Sequence, residues 1–167
     1  FYGNPPARQC KWFGDFTYTY SKTSKHLPCQ TPAWLSSVAR KVEEVTHAIM
    51  ESAAVSPKQD PPPRPKFTGI LSNLYRTGRD SVSRHPDQED VLAPGIPIAS
   101  LSVGAEREFK MWPNVTGSHA SLYITLAHGS LLIMGGDCQK HWEHAVEKDD
   151  DVKEARVNST FRQYVHS

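Results

Sequence analysis

The sequence predicts a mainly β protein with one flanking helix, folded around a jelly-roll core. From residue 67 onward, about eight short strand-like runs follow one another with turn residues between them, a pattern typical of closed or sandwiched β architectures. One amphipathic helix precedes these runs. A length of 167 residues suits a single domain with its own hydrophobic core. We therefore expect one domain over 1–167, with a front part at 1–66 and a β-rich core at 67–167.

The predicted strands alternate apolar and polar residues and end at turn residues. They lie near 69–75, 81–85, 98–103, 107–112, 122–126, 130–134, 141–146 and 156–164. In the front part, residues 16–20 alternate aromatic residues with Thr, which predicts a further strand with an aromatic face. Residues 1–15 are expected to be irregular, and the Pro-rich segment 54–66 to be a stiff extended loop.

The helix is predicted to begin near Thr31, which can cap it, and Pro32, which suits a first turn. An apolar stripe at helical spacing then predicts the face that packs against a sheet. The stripe consists of Leu35, Val38, Val42, Val45 and Ile49.

The apolar runs and the cysteines of the sequence indicate the compartment in which the protein is expected. No apolar run approaches the ~20 residues of a membrane-spanning helix, and we expect no signal peptide at the start of the chain. The three cysteines, Cys10, Cys29 and Cys138, lack metal-ligand spacing and fit free thiols in a reducing compartment. We expect an intracellular protein of the nucleus, the cytoplasm or both.

Charge is unevenly distributed along the chain. Residues 1–66 hold nine Lys and Arg against five Asp and Glu, whereas residues 67–167 hold ten against thirteen. The front part could therefore face a polyanion and the rear part could hold a cation. A chance fluctuation of a few surface charges explains the numbers equally well.

A candidate metal site begins at His85 and Asp87, which share one face of an extended strand. An imidazole and a carboxylate together make two thirds of the facial triad that binds Fe(II). A distant His would complete it, and His141 and His144 compete for that position because their spacing does not choose between them. His128, before a glycine, is expected to be a turn residue. Taken alone, His-x-Asp is also common in surface loops without a metal.

A polar strand near the end of the chain is a candidate ligand site. Two guanidinium groups on one strand face suit a small dicarboxylate, because each offers paired planar donors. Asn73 and Tyr75 share a face of an earlier strand and could contact the same ligand. The alternative is that both faces point to solvent. The late polar residues are Arg156, Asn158, Thr160 and Arg162.

Together these motifs, in this order, resemble the AlkB family of Fe(II)- and 2-oxoglutarate-dependent dioxygenases, especially its animal-type nucleic-acid demethylases. The resemblance spans roughly residues 67–164 and extends into the front part through residues 6–9 and 17–20. It is carried by Asn73-Leu74-Tyr75-Arg76, Asp80-Ser81-Val82, His85-Pro86-Asp87, Pro97-Ile98-Ala99-Ser100-Leu101-Ser102, His128-Gly129-Ser130-Leu131-Leu132-Ile133-Met134, His141-Trp142-Glu143-His144 and Arg156-Val157-Asn158-Ser159-Thr160-Phe161-Arg162.

The resemblance implies a double-stranded β-helix core with an N-terminal substrate-recognition extension. It also implies that His85, Asp87 and His144, rather than His141, hold Fe(II). The residues implied to bind the cosubstrate 2-oxoglutarate are Asn73, Tyr75, Arg156, Asn158, Thr160 and Arg162. Among them, Tyr75 and Arg156 are expected at the distal carboxylate, with Asn73 and Arg162 near the end that chelates iron.

Substrate contacts are implied at Gln88 and Glu89, which match the stretch that helps the family recognise a damaged base. Tyr18 and Tyr20 would stack on that base, or would simply belong to the core, and Arg8 would help to hold phosphates.

The chain departs from the usual family pattern at three positions, and these departures put substrate preference in question. Gln88 stands where an acid is usual, Arg84 where an aromatic residue is frequent, and Ser159 where Leu is frequent.

The implied activity is oxidative demethylation of N-alkylated bases, of the 1-methyladenine and 3-methylcytosine type, in DNA or RNA. It would use O₂ and 2-oxoglutarate and release formaldehyde, succinate and CO₂. The expected partner is alkylated DNA or RNA, with no membrane association, and the protein is expected to be a monomer. Two alternatives stay open: an oxygenase that acts on protein or a small molecule, and a nucleic-acid-binding module without turnover.

Overall fold

The computed structural model describes residues 8–20, 24–53, 61–87, 91–115 and 120–165. Within these ranges the chain forms eleven strands and two helices. In chain order they are β1 (Gln9–Phe13), β2 (Tyr18–Tyr20), β3 (Ser24–His26), α1 (Ala33–Ala53), β4 (Gly69–Tyr75), β5 (Val82–His85), β6 (Ile98–Gly104), β7 (Arg107–Pro113), β8 (Leu122–Leu126), β9 (Leu131–Met134), α2 (Cys138–His141), β10 (Trp142–Val146) and β11 (Arg156–Arg162).

Two antiparallel sheets form the body of the protein. The larger sheet has the strand order β1-β4-β11-β6-β9, and the smaller sheet has the order β5-β10-β7-β8. Strands β2 and β3 form a separate hairpin. Neighbouring strands often come from distant parts of the chain, as expected for the predicted jelly roll. The two sheets face each other, because side chains from both meet in one hydrophobic cluster and line one cavity.

A hydrophobic cluster fills the space between the two sheets. Its buried members are apolar residues on the inward-facing positions of both sheets, which alternate along each strand. They are Tyr75, Val82, Ile98, Phe109, Met111, Leu126, Met134 and Val146.

Helix α1 covers the outer face of the larger sheet. Leu35, Ala39 and Val42 pack against Ile70 and Phe161 of the sheet. The helix and its packing role are thus confirmed.

The predicted stripe of α1 was wrong in its second half. Val45 and Ile49 are 38% and 41% exposed, whereas Thr46 is fully buried. Besides His47, the buried positions of the helix recur at 35, 39, 42 and 46, so small residues at 39 and 46 lie on the contact face. The bulkier Val45 lies one position off that face.

The front of the chain is more regular than the sequence indicated. Residues 9–13, expected to be irregular, form β1, which pairs with β4 at the edge of the larger sheet. Trp12 anchors this strand: it is 1% exposed, its ring stacks on Tyr18 with centroids 4.6 Å apart, and its Nε1 donates to the carbonyl of Phe16 at 2.9 Å. The front part therefore contributes a strand to the core sheet.

The other predicted strands are present: β4 and β8 have the predicted ends, and the ends of the remaining strands are shifted by one or two residues. His141 belongs to the short helix α2 rather than to β10, and β11 ends at Arg162. In the described part of the chain, no helix combines the length and apolar character needed to cross a bilayer.

Candidate active site

Three side chains converge on one point, two from the neighbouring strands β5 and β10 and one from the segment that follows β5. His85 ends β5 and lies directly opposite His144 on β10, while Asp87 follows β5 by two residues. One potential ligand atom from each residue lies within 4.8 Å of the other two. The predicted grouping of His85, Asp87 and His144 is thus present in the structure.

The imidazole of His85 is held in the tautomer that a metal needs. Its Nδ1 lies 2.7 Å from the carbonyl oxygen of Ser83. A carbonyl can only accept, so Nδ1 carries a proton, and in the neutral imidazole the lone pair then lies on Nε2. That Nε2 lies 3.5 Å from Oδ1 of Asp87. The backbone thereby aims the nitrogen into the site.

His144 is oriented by packing instead. Its ring stacks on Phe109 with centroids 5.1 Å apart, and its Nε2 lies 3.9 Å from Oδ2 of Asp87. Its Nδ1 is buried and has no hydrogen-bond partner among the described residues.

The competing histidines lie elsewhere. His141 is exposed at the end of α2. His128 sits in the turn before Gly129, where its Nδ1 accepts a hydrogen bond from the backbone N–H of Gly104 at 3.0 Å. The position that the sequence left open is therefore filled by His144, and the prediction that His128 is a turn residue is confirmed.

Electrostatics keep Asp87 and His144 in the protonation states that metal binding requires. Burial disfavours a charged Asp87, but Arg162, 2.9 Å away, and the two imidazoles outweigh it and hold the pKa of that carboxyl far below its usual range. Burial also lowers the pKa of His144 to about 4. Near neutral pH the site therefore offers an ionised carboxylate and a neutral imidazole at 144.

A cavity extends from these residues between the sheets. The register of the larger sheet builds its polar wall, because Asn73 lies opposite Asn158 and Tyr75 opposite Arg156. Alternate residues of a strand share a face, so one side of β4, β11 and β6 points into the cavity. The polar lining consists of Arg8, Asn73, Tyr75, Ser100, Arg156, Asn158, Thr160 and Arg162, in addition to the three metal-ligand candidates.

Arg156 carries an unsatisfied charge at the inner end of this cavity. It is 2% exposed, its Nη2 donates to Oγ of Ser102 at 3.0 Å, and its guanidinium lies 5.1 Å from the ring centre of Tyr75. Its Nε and Nη1 are buried without a hydrogen-bond partner among the described residues. A buried cation in this state favours an anionic ligand, because a buried donor without an acceptor costs free energy.

Asn158 and Thr160 satisfy each other. Asn158 donates to Oγ of Ser100 at 2.7 Å and to the carbonyl of Leu101 at 3.2 Å, and Thr160 donates to Oδ1 of Asn158 at 3.3 Å. These hydrogen bonds fix the part of the polar cavity wall that lies between the two arginines of β11.

The residues present fit Fe(II) and 2-oxoglutarate. Two imidazoles and one carboxylate are the donor set of non-haem Fe(II) sites and leave positions open. Next to them, a polar cavity with buried guanidinium donors suits a small dicarboxylate. His85, Asp87 and His144 would hold the metal, and the arginines of β11, with Asn73 and Tyr75, would hold the diacid.

Two supporting residues were missed by sequence reasoning. Arg107 is 2% exposed and donates to the backbone carbonyls of Gly78, Asp80 and Glu147, while its guanidinium lies 5.8 Å from the ring centre of Tyr75. The sequence did contain a signal for Arg107: it shares the inward face of its strand with the apolar residues Phe109 and Met111.

The other missed residue is Gln139 on α2. Its Oε1 accepts the backbone N–H of Asp87 at 2.7 Å and so fixes the chain just beyond β5. No sequence pattern pointed to it.

The predicted substrate residues are placed as follows. Tyr18 is 3% exposed in the aromatic core, so the core alternative holds for its ring. Arg8 points into the cavity, where its Nε donates to Oδ1 of Asn73 at 2.8 Å. The side chain of Tyr20, and all of Gln88 and Glu89, lie outside the described residues.

Two of the departures from the family pattern point away from the cavity. Arg84 pairs with Glu143 at 2.5 Å and lies 5.1 Å from the ring centre of Trp112. Glu143 and Trp112 flank the inward pair His144 and Met111, so this cluster lies on the outer face of the smaller sheet. Ser159 lies 2.8 Å from Ser72, hydroxyl to hydroxyl, at a position out of phase with the cavity-lining residues of β11.

Comparison with known proteins agrees with this site. Residues 4–162 match the family model of the 2OG-Fe(II) oxygenase superfamily. The chain is 35% identical over 168 residues to the rat protein named alpha-ketoglutarate-dependent dioxygenase alkB homolog 3. This alignment covers 95% of this chain and 50% of the rat protein. It is 40% identical over 102 residues to human DNA oxidative demethylase ALKBH2, across 58% of this chain and 39% of the relative.

The fold agrees as well. The solved structure described as "The structure of OsALKBH1" superposes with a TM-score of 0.68 at 20% identity, covering 94% of this chain and 78% of that one. The chain spans about half the length of the alkB homolog 3 proteins it matches. With the His-Asp-His grouping and the match over nearly its whole length, the chain belongs to the AlkB family within the 2OG-Fe(II) oxygenase superfamily.

Proposed function

We propose that this protein oxidatively removes N-methyl groups from bases of the 1-methyladenine and 3-methylcytosine type in DNA or RNA. The observation that carries the proposal is the convergence of His85, Asp87 and His144 beside a cavity with a buried, unsatisfied Arg156. Bound Fe(II) with 2-oxoglutarate and O₂ would supply the oxidation, releasing formaldehyde, succinate and CO₂.

In this proposal, the chain's own residues bind the metal and the cosubstrate and orient them. His85 directs its Nε2 into the site, and His144 presents a neutral imidazole. Asp87 presents a charge held ionised by Arg162, and Arg156 provides the donors for the far carboxylate of the cosubstrate. Phe109 and other apolar residues of the smaller sheet form the opposite wall and exclude water from the site.

A nucleic-acid substrate is supported by two observations. Relatives that match this chain carry the names DNA oxidative demethylase and alkB homolog 3. The front part, residues 1–66, holds a net basic balance, and β1 brings Arg8 from that part to the cavity. A base would have to leave its stack to reach so enclosed a site. We further propose that the protein works as a monomer in the nucleus, the cytoplasm or both.

The test is a mass-spectrometric demethylation assay on oligonucleotides carrying 1-methyladenine or 3-methylcytosine, with and without Fe(II) and 2-oxoglutarate. The protein should release formaldehyde and the unmodified base only when both are supplied, and His85→Ala should abolish turnover. Arg84→Met, which changes the outer face of the same strand, should keep it. Full turnover by His85→Ala would refute the proposal. Succinate formation without loss of the base methyl group would favour a protein or small-molecule substrate.

A further inference from the structure

At the start of β1, the side chains of Arg8 and Cys10 meet Asn73 of β4, and Arg8 and Asn73 line the cavity. Cys10 lies directly opposite Asn73 in the pairing of β1 with β4. Its Sγ lies 3.2 Å from Oδ1 of Asn73, and Nε of Arg8 lies 2.8 Å from the same oxygen.

Both neighbours of this oxygen act as donors. A guanidinium has no acceptor at all, and burial raises the pKa of the Cys10 thiol, which therefore stays protonated near neutral pH. A side-chain amide has one acceptor end and one donor end. With two donors on one side, the oxygen of Asn73 must face Arg8 and Cys10.

The donor end of the amide consequently faces the other way. Asn73 is 6% exposed and lines the cavity with Arg162 and Thr160. Within the described residues, both hydrogen bonds of the Asn73 side chain are made by Oδ1, and none is made by Nδ2. Two N–H groups are thus left for a ligand with acceptor oxygens, which is what a dicarboxylate offers.

We propose that Arg8 and Cys10 are positioning residues that hold the amide of Asn73 with its NH₂ group toward 2-oxoglutarate. The inference rests on the proposed function, because it takes 2-oxoglutarate as the ligand of the cavity. It assigns β1 a role in cosubstrate affinity, in addition to the substrate role expected for Arg8. In the opposite orientation the amide would place an oxygen against a carboxylate, and the two would repel.

Cys10 allows the cleaner test, since the thiol is a neutral donor whereas Arg8 also attracts an anion by its charge. Cys10→Ala removes the donor, and Cys10→Ser keeps a donor of similar size. Cys29→Ala is the matched control, because Cys29 lies at an isolated bridge with Gly14 and does not line the cavity.

The experiment measures binding of 2-oxoglutarate by calorimetry on the whole protein loaded with Mn(II), so that no turnover is needed. Wild type should bind, Cys10→Ala should bind about three- to tenfold more weakly, the usual effect of one neutral hydrogen bond, and Cys10→Ser should restore most of the affinity. Cys29→Ala should bind as wild type does. Thermal unfolding of each variant without ligand establishes that it is folded.

A double-mutant cycle with Asn73→Ala isolates the mechanism. In that background Cys10→Ala should have no further effect on affinity. Equal binding by wild type and Cys10→Ala, or the same loss with and without Asn73, would overturn the positioning role while leaving the proposed function intact. If wild type does not bind 2-oxoglutarate, the proposed function fails and this inference fails with it.

Discussion

Nη2 of Arg162 lies 2.9 Å from Oδ2 of Asp87, and both side chains are almost fully buried. The pair joins the last inward residue of β11 to the carboxylate of the candidate metal site. It keeps Asp87 ionised against the cost of burial. This ion pair therefore links β11 electrostatically to the candidate metal site.

Arg162→Met should weaken metal binding. The change leaves the carboxylate of Asp87 without its cation, and loss of a partner that orients a ligand typically costs about 10- to 100-fold in metal affinity. Mn(II) titration followed by electron paramagnetic resonance, without 2-oxoglutarate, measures this directly. Arg84→Met is the control, because Arg84 pairs with Glu143 on the outer face of the sheet. Unchanged Mn(II) affinity in Arg162→Met would contradict the account.

Arg107→Met should destabilise the fold. Arg107 is the donor for three backbone carbonyls, two from the turn at residues 78–80 and one from Glu147 after β10, and the variant leaves them unsatisfied in a buried place. We expect a loss of about 3 kcal/mol in the free energy of unfolding, measured by urea denaturation.

The matched control for that change is Arg79→Met. Arg79 pairs with Asp150 at 3.3 Å on the surface, with both side chains about four-fifths exposed. Such pairs contribute little, so the control should lie within about 0.5 kcal/mol of wild type. Wild-type stability of Arg107→Met would show that Arg107 is not a structural link.

The contrast between these arginines shows what sequence could and could not predict. The metal ligands and the polar face of β11 follow from period-two alternation within single strands, together with a family resemblance. The partners of Arg107 are backbone carbonyls that only the folded turns bring together. In the same way, β1 has a Gly- and Pro-rich neighbourhood that indicates a loop, and it becomes a strand because Trp12 is buried against Tyr18.

Tyr18→Leu should lower stability without weakening nucleic-acid binding. Its ring stacks on Trp12 inside the aromatic core, so the change removes packing rather than a surface platform. We expect a loss of about 1–3 kcal/mol on unfolding, with unchanged affinity for a methylated oligonucleotide in fluorescence anisotropy. Tyr123→Leu, at a 59% exposed position, is the control for stability. Full stability with weakened oligonucleotide binding would favour the stacking role for Tyr18.

The metal-free protein should become less stable as pH falls from 6.5 toward 4.5. The pKa of His144 is about 4 in the folded protein against an ordinary 6.5, so the unfolded chain binds more protons over this range. Stability therefore rises with pH there, by about 2 kcal/mol for this one group. Urea denaturation across the range measures the slope. His144→Asn should flatten it, and an unchanged slope in that variant would contradict the low pKa.

The most direct test of the central claim is a Co(II) titration followed by visible absorption and by equilibrium dialysis. The account predicts one Co(II) per chain, held by His85, Asp87 and His144, with an absorption spectrum that changes when 2-oxoglutarate is added. Asp87→Ala and His144→Ala should each lose this site, while His141→Ala should keep it. Binding of Co(II) with wild-type affinity by Asp87→Ala or His144→Ala would show that these three side chains do not share one ion.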